Sequence, residues 1–177
     1  AWAVLSHEQW RASALAGNLD WNAVFDEYVR WISPIGMSPR RVAQAFEIHG
    51  IQLLPEDRVF LMFGSANRDE SCFDQPTIFN PDRAQGKGPK HDSAKHIAFG
   101  AGPHFCAGAA VSRALVASVA LPTLFNVLND LKLMPEEPTR FGGWAFRGPL
   151  ITPVCWNAAM QSKESDHAHG RTRKKHA

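Results

Sequence analysis

Ten consecutive residues, Phe99-Gly100-Ala101-Gly102-Pro103-His104-Phe105-Cys106-Ala107-Gly108, hold the side chains best suited to chemistry in this 177-residue chain. They lead directly into a small-residue apolar run, Ala109 to about Leu128, that reads as a helix. A cysteine at a helix start faces the positive end of the helix dipole and several unpaired N–H groups, which favour its thiolate form. A thiolate is a metal ligand. Gly100, Gly102 and Gly108 permit positive φ and close backbone approach, so a flat, bulky partner could lie against the loop. Phe99 and Phe105 would give that partner an apolar wall.

Together these features suit a haem iron held through sulfur, where the thiolate pushes electron density toward bound oxygen and favours O–O cleavage. His104 could then point a donor at a haem propionate. The plainer reading is a glycine-rich turn around an inert core cysteine. The whole string, however, resembles the haem-ligand signature of cytochromes P450: Phe, two residues, Gly, one residue, a basic residue, one residue, Cys, one residue and Gly.

Other segments fall in that family's order. Glu27-Tyr28-Val29-Arg30 resembles its ExxR element, with Glu and Arg three apart on one helical face. Arg83, within Phe79-Asn80-Pro81-Asp82-Arg83, matches the arginine that joins that pair. A charge-assisted network of this kind would lock the loop to the helix when desolvated. Arg41 sits where related proteins place a propionate-binding arginine on a short strand, with Arg40 the alternative by one residue. Ser65-Ala66-Asn67-Arg68-Asp69, Phe73 and His104 are similar to the bacterial, soluble branch. The resemblance runs from roughly Leu5 to Trp156.

What the resemblance implies is a mainly α fold with small β elements (α+β), the proximal, C-terminal part of the cytochrome P450 fold, over residues 1–156. Residues 157–177 form a basic tail expected to be disordered. The implied cofactor is haem b, with Cys106 as iron ligand and Phe99, Gly100, His104, Gly108 and Arg41 as cofactor contacts. The implied activity is insertion of one oxygen atom from O2 into a small apolar organic substrate, with electrons from a ferredoxin or flavoprotein. Segments Ser33 to Met37 and Trp144 to Phe146 would line the substrate. No catalytic residue is assigned, because Ala16-Gly17-Asn18-Leu19-Asp20 lacks the threonine of the family's oxygen-side helix. A fragment of the enzyme is therefore expected, the alternative being an inactive relative that binds haem weakly or acts as an interaction fragment.

The elements that must position these residues follow from periodicity. An opening helical segment should run to about Leu15 and end at Ala16-Gly17-Asn18. Asp20 is an N-cap for a helix whose Trp21, Val24, Phe25, Tyr28 and Trp31 recur at spacings of three and four, ending before Pro34. Short strands are expected between Arg41 and Phe63, with His49-Gly50 as a turn. Residues 64–98 read as a long loop. In the post-cysteine helix Val111, Leu115, Val119 and Leu124 are expected to face the core, and Pro122 to kink it. Small β pieces should follow to about Trp156.

With 45% hydrophobic and 20% charged residues, the composition is that of an ordinary globular unit. The net charge of +2 is uneven: five basic against two acidic residues give the tail +3, leaving −1 for the rest. Nucleic-acid binding is thus not expected. Cys72, Cys106 and Cys155 are too few and too spread for a disulfide framework or a zinc site. His7, His49, His91 and His96 lack paired ligand spacing. No uninterrupted apolar run of about 20 residues is present, nor a signal-peptide start, so a cytoplasmic location without membrane contact is expected.

Overall fold

A computed structural model describes residues 1–85, 95–128 and 130–157. The basic tail and His91 lie outside the described residues. The opening segment breaks in two, α1 (Trp2–Leu5) and α2 (Glu8–Leu15). The break has a local cause: the Ser6 hydroxyl donates to Trp2 O and His7 Nδ1 bonds Ala3 O, and His7 leaves helical dihedrals. Helix α3 (Trp21–Ile32) starts at Asp20, whose carboxylate accepts from the Asn22 and Ala23 N–H groups. It stops at Ser33, which turns left-handed (φ 47°) ahead of Pro34.

Four two-stranded antiparallel pairs follow in pieces. Strand β1 (Ser38–Arg41) begins earlier than the sequence suggests and pairs with β4 (Arg58–Leu61). Strands β2 (Phe46–Ile48) and β3 (Ile51–Leu53) form a hairpin on His49-Gly50, both at positive φ as a tight primed turn requires. A short helix, α4 (Phe63–Ala66), opens the long loop. Near the end, β5 (Lys132–Leu133) pairs with β8 (Val154–Cys155), and β6 (Arg140–Gly142) with β7 (Gly148–Ile151).

The post-cysteine helix runs Ala109–Val127. It is α-helical over Ala109–Ser112, π-helical over Arg113–Ala120 and α-helical again over Leu121–Val127. Pro122 falls directly after the wide π segment, where Leu121 N–H reaches back five residues to Val116 O. The chain thus accommodates the proline by changing helical register rather than ending the helix. The expected core face is corrected. Val111, Leu115 and Val119 are 58%, 60% and 57% exposed, while Ala109, Ala117, Leu121 and Phe125 are buried. The small Ala117 allows close approach to α3, which turns the larger side chains outward; only Leu124 of the expected set packs against the core.

With 19 residues and a mean hydropathy of 1.5, this helix is long and apolar enough to cross a bilayer by length and composition alone. Within the fold, 17% of its most apolar window is buried. The larger core cluster joins Ala3, Val4, Leu5, Trp10, Val24, Phe79, Leu121, Phe125 and Leu131; a smaller one joins Phe25, Val29, Ala98 and Ala117 beneath the cysteine loop.

Candidate functional site

The cysteine loop is shaped by backbone bonds. Gly100 N–H donates to Ile97 O, Cys106 N–H to Phe99 O at 2.9 Å, and Phe105 N–H closes a 3₁₀ turn over Gly102–His104. Gly100 and Gly102 adopt φ 73° and 68°, conformations that L side chains disfavour. Gly108 does not; its φ is −83°, and a Cβ there would stand 3.8 Å from Cys106 Sγ. Phe99 is fixed from several directions, by the Phe25 ring at 6.2 Å, the Arg113 guanidinium at 5.2 Å and the Phe105 ring at 6.3 Å. Arg113 in turn donates to Asp26 at 2.9 Å, tying the post-cysteine helix to α3. Burial alone would raise the Asp26 carboxyl's pKa, but the His96 hydrogen bond and the Arg113 charge outweigh it and hold that carboxyl below its ordinary value.

Beside the thiol lies a cavity of about 310 Å³ lined by Val29, Pro34, Ile35, Ser38, Arg40, Phe63, Ala98, Phe99, Gly100, His104 and Cys106. Of the residues expected to meet a cofactor, Phe99, Gly100, His104 and Cys106 come together here, and Gly108 lies behind the sulfur. Arg41 does not. Its guanidinium pairs with Glu56 at 2.7 Å on the exposed side of β1, and Arg40 lines the cavity instead. The reason is strand alternation: adjacent residues of β1 point to opposite faces, so a one-residue choice decides the outcome.

The lining suits the proposed group. Apolar walls face a flat partner, the thiol offers a soft ligand, and Arg40 and His104 offer donors for carboxylates. Among the described residues no three His, Cys, Asp or Glu side chains converge. The described residues therefore offer Cys106 no second and third protein ligand for a metal.

Glu27, Arg30 and Arg83 meet as the sequence suggests, all buried. Arg30 Nε and Nη2 donate to the Glu27 carboxylate at 2.7 and 2.8 Å, and Arg83 Nε donates at 3.3 Å. Both guanidiniums also serve the long loop: Arg30 donates to the carbonyls of Asn67, Pro76 and Ile78, Arg83 to those of Asp74, Gln75 and Ile78. Asn67, fully buried, links Ser33 to Ile97 at the base of the cysteine loop. Sequence reasoning missed the roles of Asn67, Val29 and Phe63 in framing the site, since single apolar or amide residues carry no local signal.

Comparison with known proteins identifies the family. The Cytochrome P450 family profile matches residues 21–127. The chain is 32% identical over 138 residues to pulcherriminic acid synthase of Bacillus subtilis strain 168, covering 75% of this chain and 33% of that protein. It is 36% identical over 133 residues to a methyl-branched lipid omega-hydroxylase of Mycobacterium tuberculosis strain H37Rv, covering 75% and 29%. Among solved structures, P450BioI in complex with an acyl carrier protein ligated to hexadec-9Z-enoic acid superposes with a TM-score of 0.73 at 29% identity, over 88% of this chain and 38% of that one. The chain thus spans about a third of the length of the curated relatives it matches. The profile covers both α3, with its buried Glu27–Arg30 pair, and the cysteine loop, and the chain belongs to the cytochrome P450 family.

Proposed function

We propose that this chain forms the cysteine-bearing side of a haem-thiolate monooxygenase that inserts one oxygen atom from O2 into an apolar organic substrate. The observation that carries the reading is the cavity in which Cys106, His104, Arg40, Phe99 and Gly100, drawn from separate segments, converge. Cys106 would ligate the iron of haem b, Arg40 and His104 would hold its propionates, and Phe99 would pack beside the ligand loop. When bound, the haem supplies the electron-transfer and oxygen chemistry, tuned by the thiolate. The chain's own contribution is to hold that group, exclude water with Val29, Ile35, Phe63 and Ala98, and fix the sulfur through the Phe99–Cys106 backbone bond. Electrons would come from a ferredoxin or flavoprotein. A relative named as a lipid hydroxylase and a solved neighbour holding a fatty acyl group support an apolar substrate.

Reconstitution with haem, reduction and addition of carbon monoxide test this reading. A Soret band at the thiolate-ligated position is expected, lost in Cys106→Ser. Arg40→Ala should speed transfer of haem to an apoglobin, whereas Arg41→Ala should leave it unchanged. The alternative is an inactive relative that binds haem weakly or acts as an interaction fragment, motivated by the lack of the family's oxygen-side threonine pattern in this chain. Absence of any Soret band in the unsubstituted protein would refute haem binding by this chain and leave the family assignment standing.

A further inference from the structure

The segments Ser33 to Met37 and Trp144 to Phe146, far apart in sequence, are joined in space. Ile35 bridges Phe146, Gly36 N–H donates to Ala145 O at 2.9 Å, and Arg147 N–H donates to Pro34 O at 2.8 Å. Pro34 and Ile35 line the Cys106 cavity. Residues flanking these segments, Ile32, Gly143 and Arg147, line a second cavity of about 320 Å³ together with Arg68, and its lining holds no acidic residue.

The Arg147 guanidinium is seated where the two segments meet. Its Nε donates to Ile32 O at 3.0 Å and to Ser33 O at 3.1 Å, carbonyls left unpaired at the end of α3. Two glycines make room for it. A Cβ on Gly36 would stand 3.2 Å from Nε, and one on Gly64 only 2.2 Å from Nη2. Gly64 N–H donates to Gly36 O at 2.9 Å, so the two sides of the slot are bonded to each other. Arg68 takes a neighbouring carbonyl, Trp31 O, at 2.7 Å. Burial and then repulsion from Arg147 lower the Arg68 pKa below its ordinary value, which places two cations at the negative end of one helix.

We infer that Arg147 is a positioning residue: seated between Gly36 and Gly64 and bonded to the end of α3, it fixes the Ile35–Phe146 bridge as one rim of the Cys106 cavity and so selects the shape of ligand that cavity admits. Phe146 is 75% exposed and Ile35 40% exposed, so neither is held by burial of its own side chain. The bridge has two backbone bonds and the Arg147 contacts. The ligand half of this inference rests on the haem reading above; the clamp half does not.

The test uses Arg147→Ala, Gly64→Ala and the double variant, each with two readouts. The first needs no haem: amide hydrogen exchange at Gly36 and Arg147, with Val42 N–H, which donates to Asp57 O, as control. Both single variants should speed exchange at the bridge by about tenfold while the control is unchanged. The second compares 4-phenylimidazole with imidazole on the haem-loaded protein. The single variants should weaken the phenyl ligand by about tenfold relative to imidazole, the larger ligand being the more sensitive to a displaced rim. The double variant should be no worse than Arg147→Ala, because an empty slot accepts the Gly64 methyl. Wild-type bridge exchange in both single variants would overturn the clamp. Bridge opening with an unchanged ligand ratio, or additive effects, would overturn the selection role. Absence of haem uptake by the unsubstituted protein refutes the haem reading and the selection role built on it, and the exchange data still decide the clamp. Should Arg147→Ala fail to fold, Gly64→Ala carries the same comparison with the guanidinium displaced rather than deleted.

Discussion

Replacing Glu27 with alanine should remove a large share of the protein's stability. The carboxylate accepts from Arg30 at 2.7 and 2.8 Å, from the Asn80 N–H at 2.9 Å and from Arg83 at 3.3 Å. Its side chain and that of Arg30 are only 4% and 2% exposed, so water cannot replace the lost partner. Removing one member of a buried ion pair costs about 3–5 kcal/mol, against a total stability of about 5–15 kcal/mol for a domain. The damage should also spread, because the same guanidiniums hold the loop carbonyls from Asn67 to Ile78. The assay is urea unfolding followed by far-UV circular dichroism, with Glu8→Ala as reference. Glu8 also pairs with an arginine three residues on, but its side chain is 81% exposed, and such pairs contribute little. A loss under about 1 kcal/mol in Glu27→Ala, on a par with Glu8→Ala, would refute the claim that this network holds the loop to α3.

Three further outcomes are expected. Gly102→Ala should cost about 1–2 kcal/mol from its positive φ alone, since nothing lies within 4 Å of the added methyl; Gly108→Ala, at φ −83°, should leave the unfolding midpoint unchanged. Asp26→Asn should destabilise at neutral pH, and the difference from the unsubstituted protein should vanish in acid. The Asp26 pKa is lowered in the folded state, so its contribution is present above the unfolded value, about pH 4, and is lost as pH falls through the folded value. The effect is small because Asp26 is 39% exposed, and paired urea titrations at pH 7 and pH 3 measure it. Finally, the triple variant Val111→Gln, Leu115→Lys, Val119→Gln should reduce self-association in sedimentation experiments while changing stability by less than about 1 kcal/mol. A large destabilisation would show that this face is packed in the folded chain.

The sequence was most legible where the controlling interactions are local. Asp20 capping α3, the His49-Gly50 turn and the cysteine loop each depend on residues a few positions apart, and each forms where expected. Legibility failed where one residue of register or a distant partner decides. Arg40 and Arg41 have the same chemistry, and only the start of β1 at Ser38 sets which one meets the cavity. The break at Ser6-His7 depends on two side-chain bonds to backbone carbonyls that compete with helix continuation. The seat of Arg147 depends on two glycines more than 80 positions upstream, and nothing around Arg147 in sequence signals it.

The post-cysteine helix shows why periodicity alone misjudged its buried face. It is apolar on both sides, so hydrophobicity cannot choose between them; size and charge can. Ala117 lets the helix approach α3 closely, Leu121 and Phe125 fill the core beyond, and Arg113 is drawn to Asp26 and over Phe99. Because the helix follows directly from the loop that carries Cys106, the contacts with α3 that orient one side also set the thiol's place in the cavity. Val111, Leu115 and Val119 take no part in that positioning. They can change, or meet another surface, without moving the sulfur.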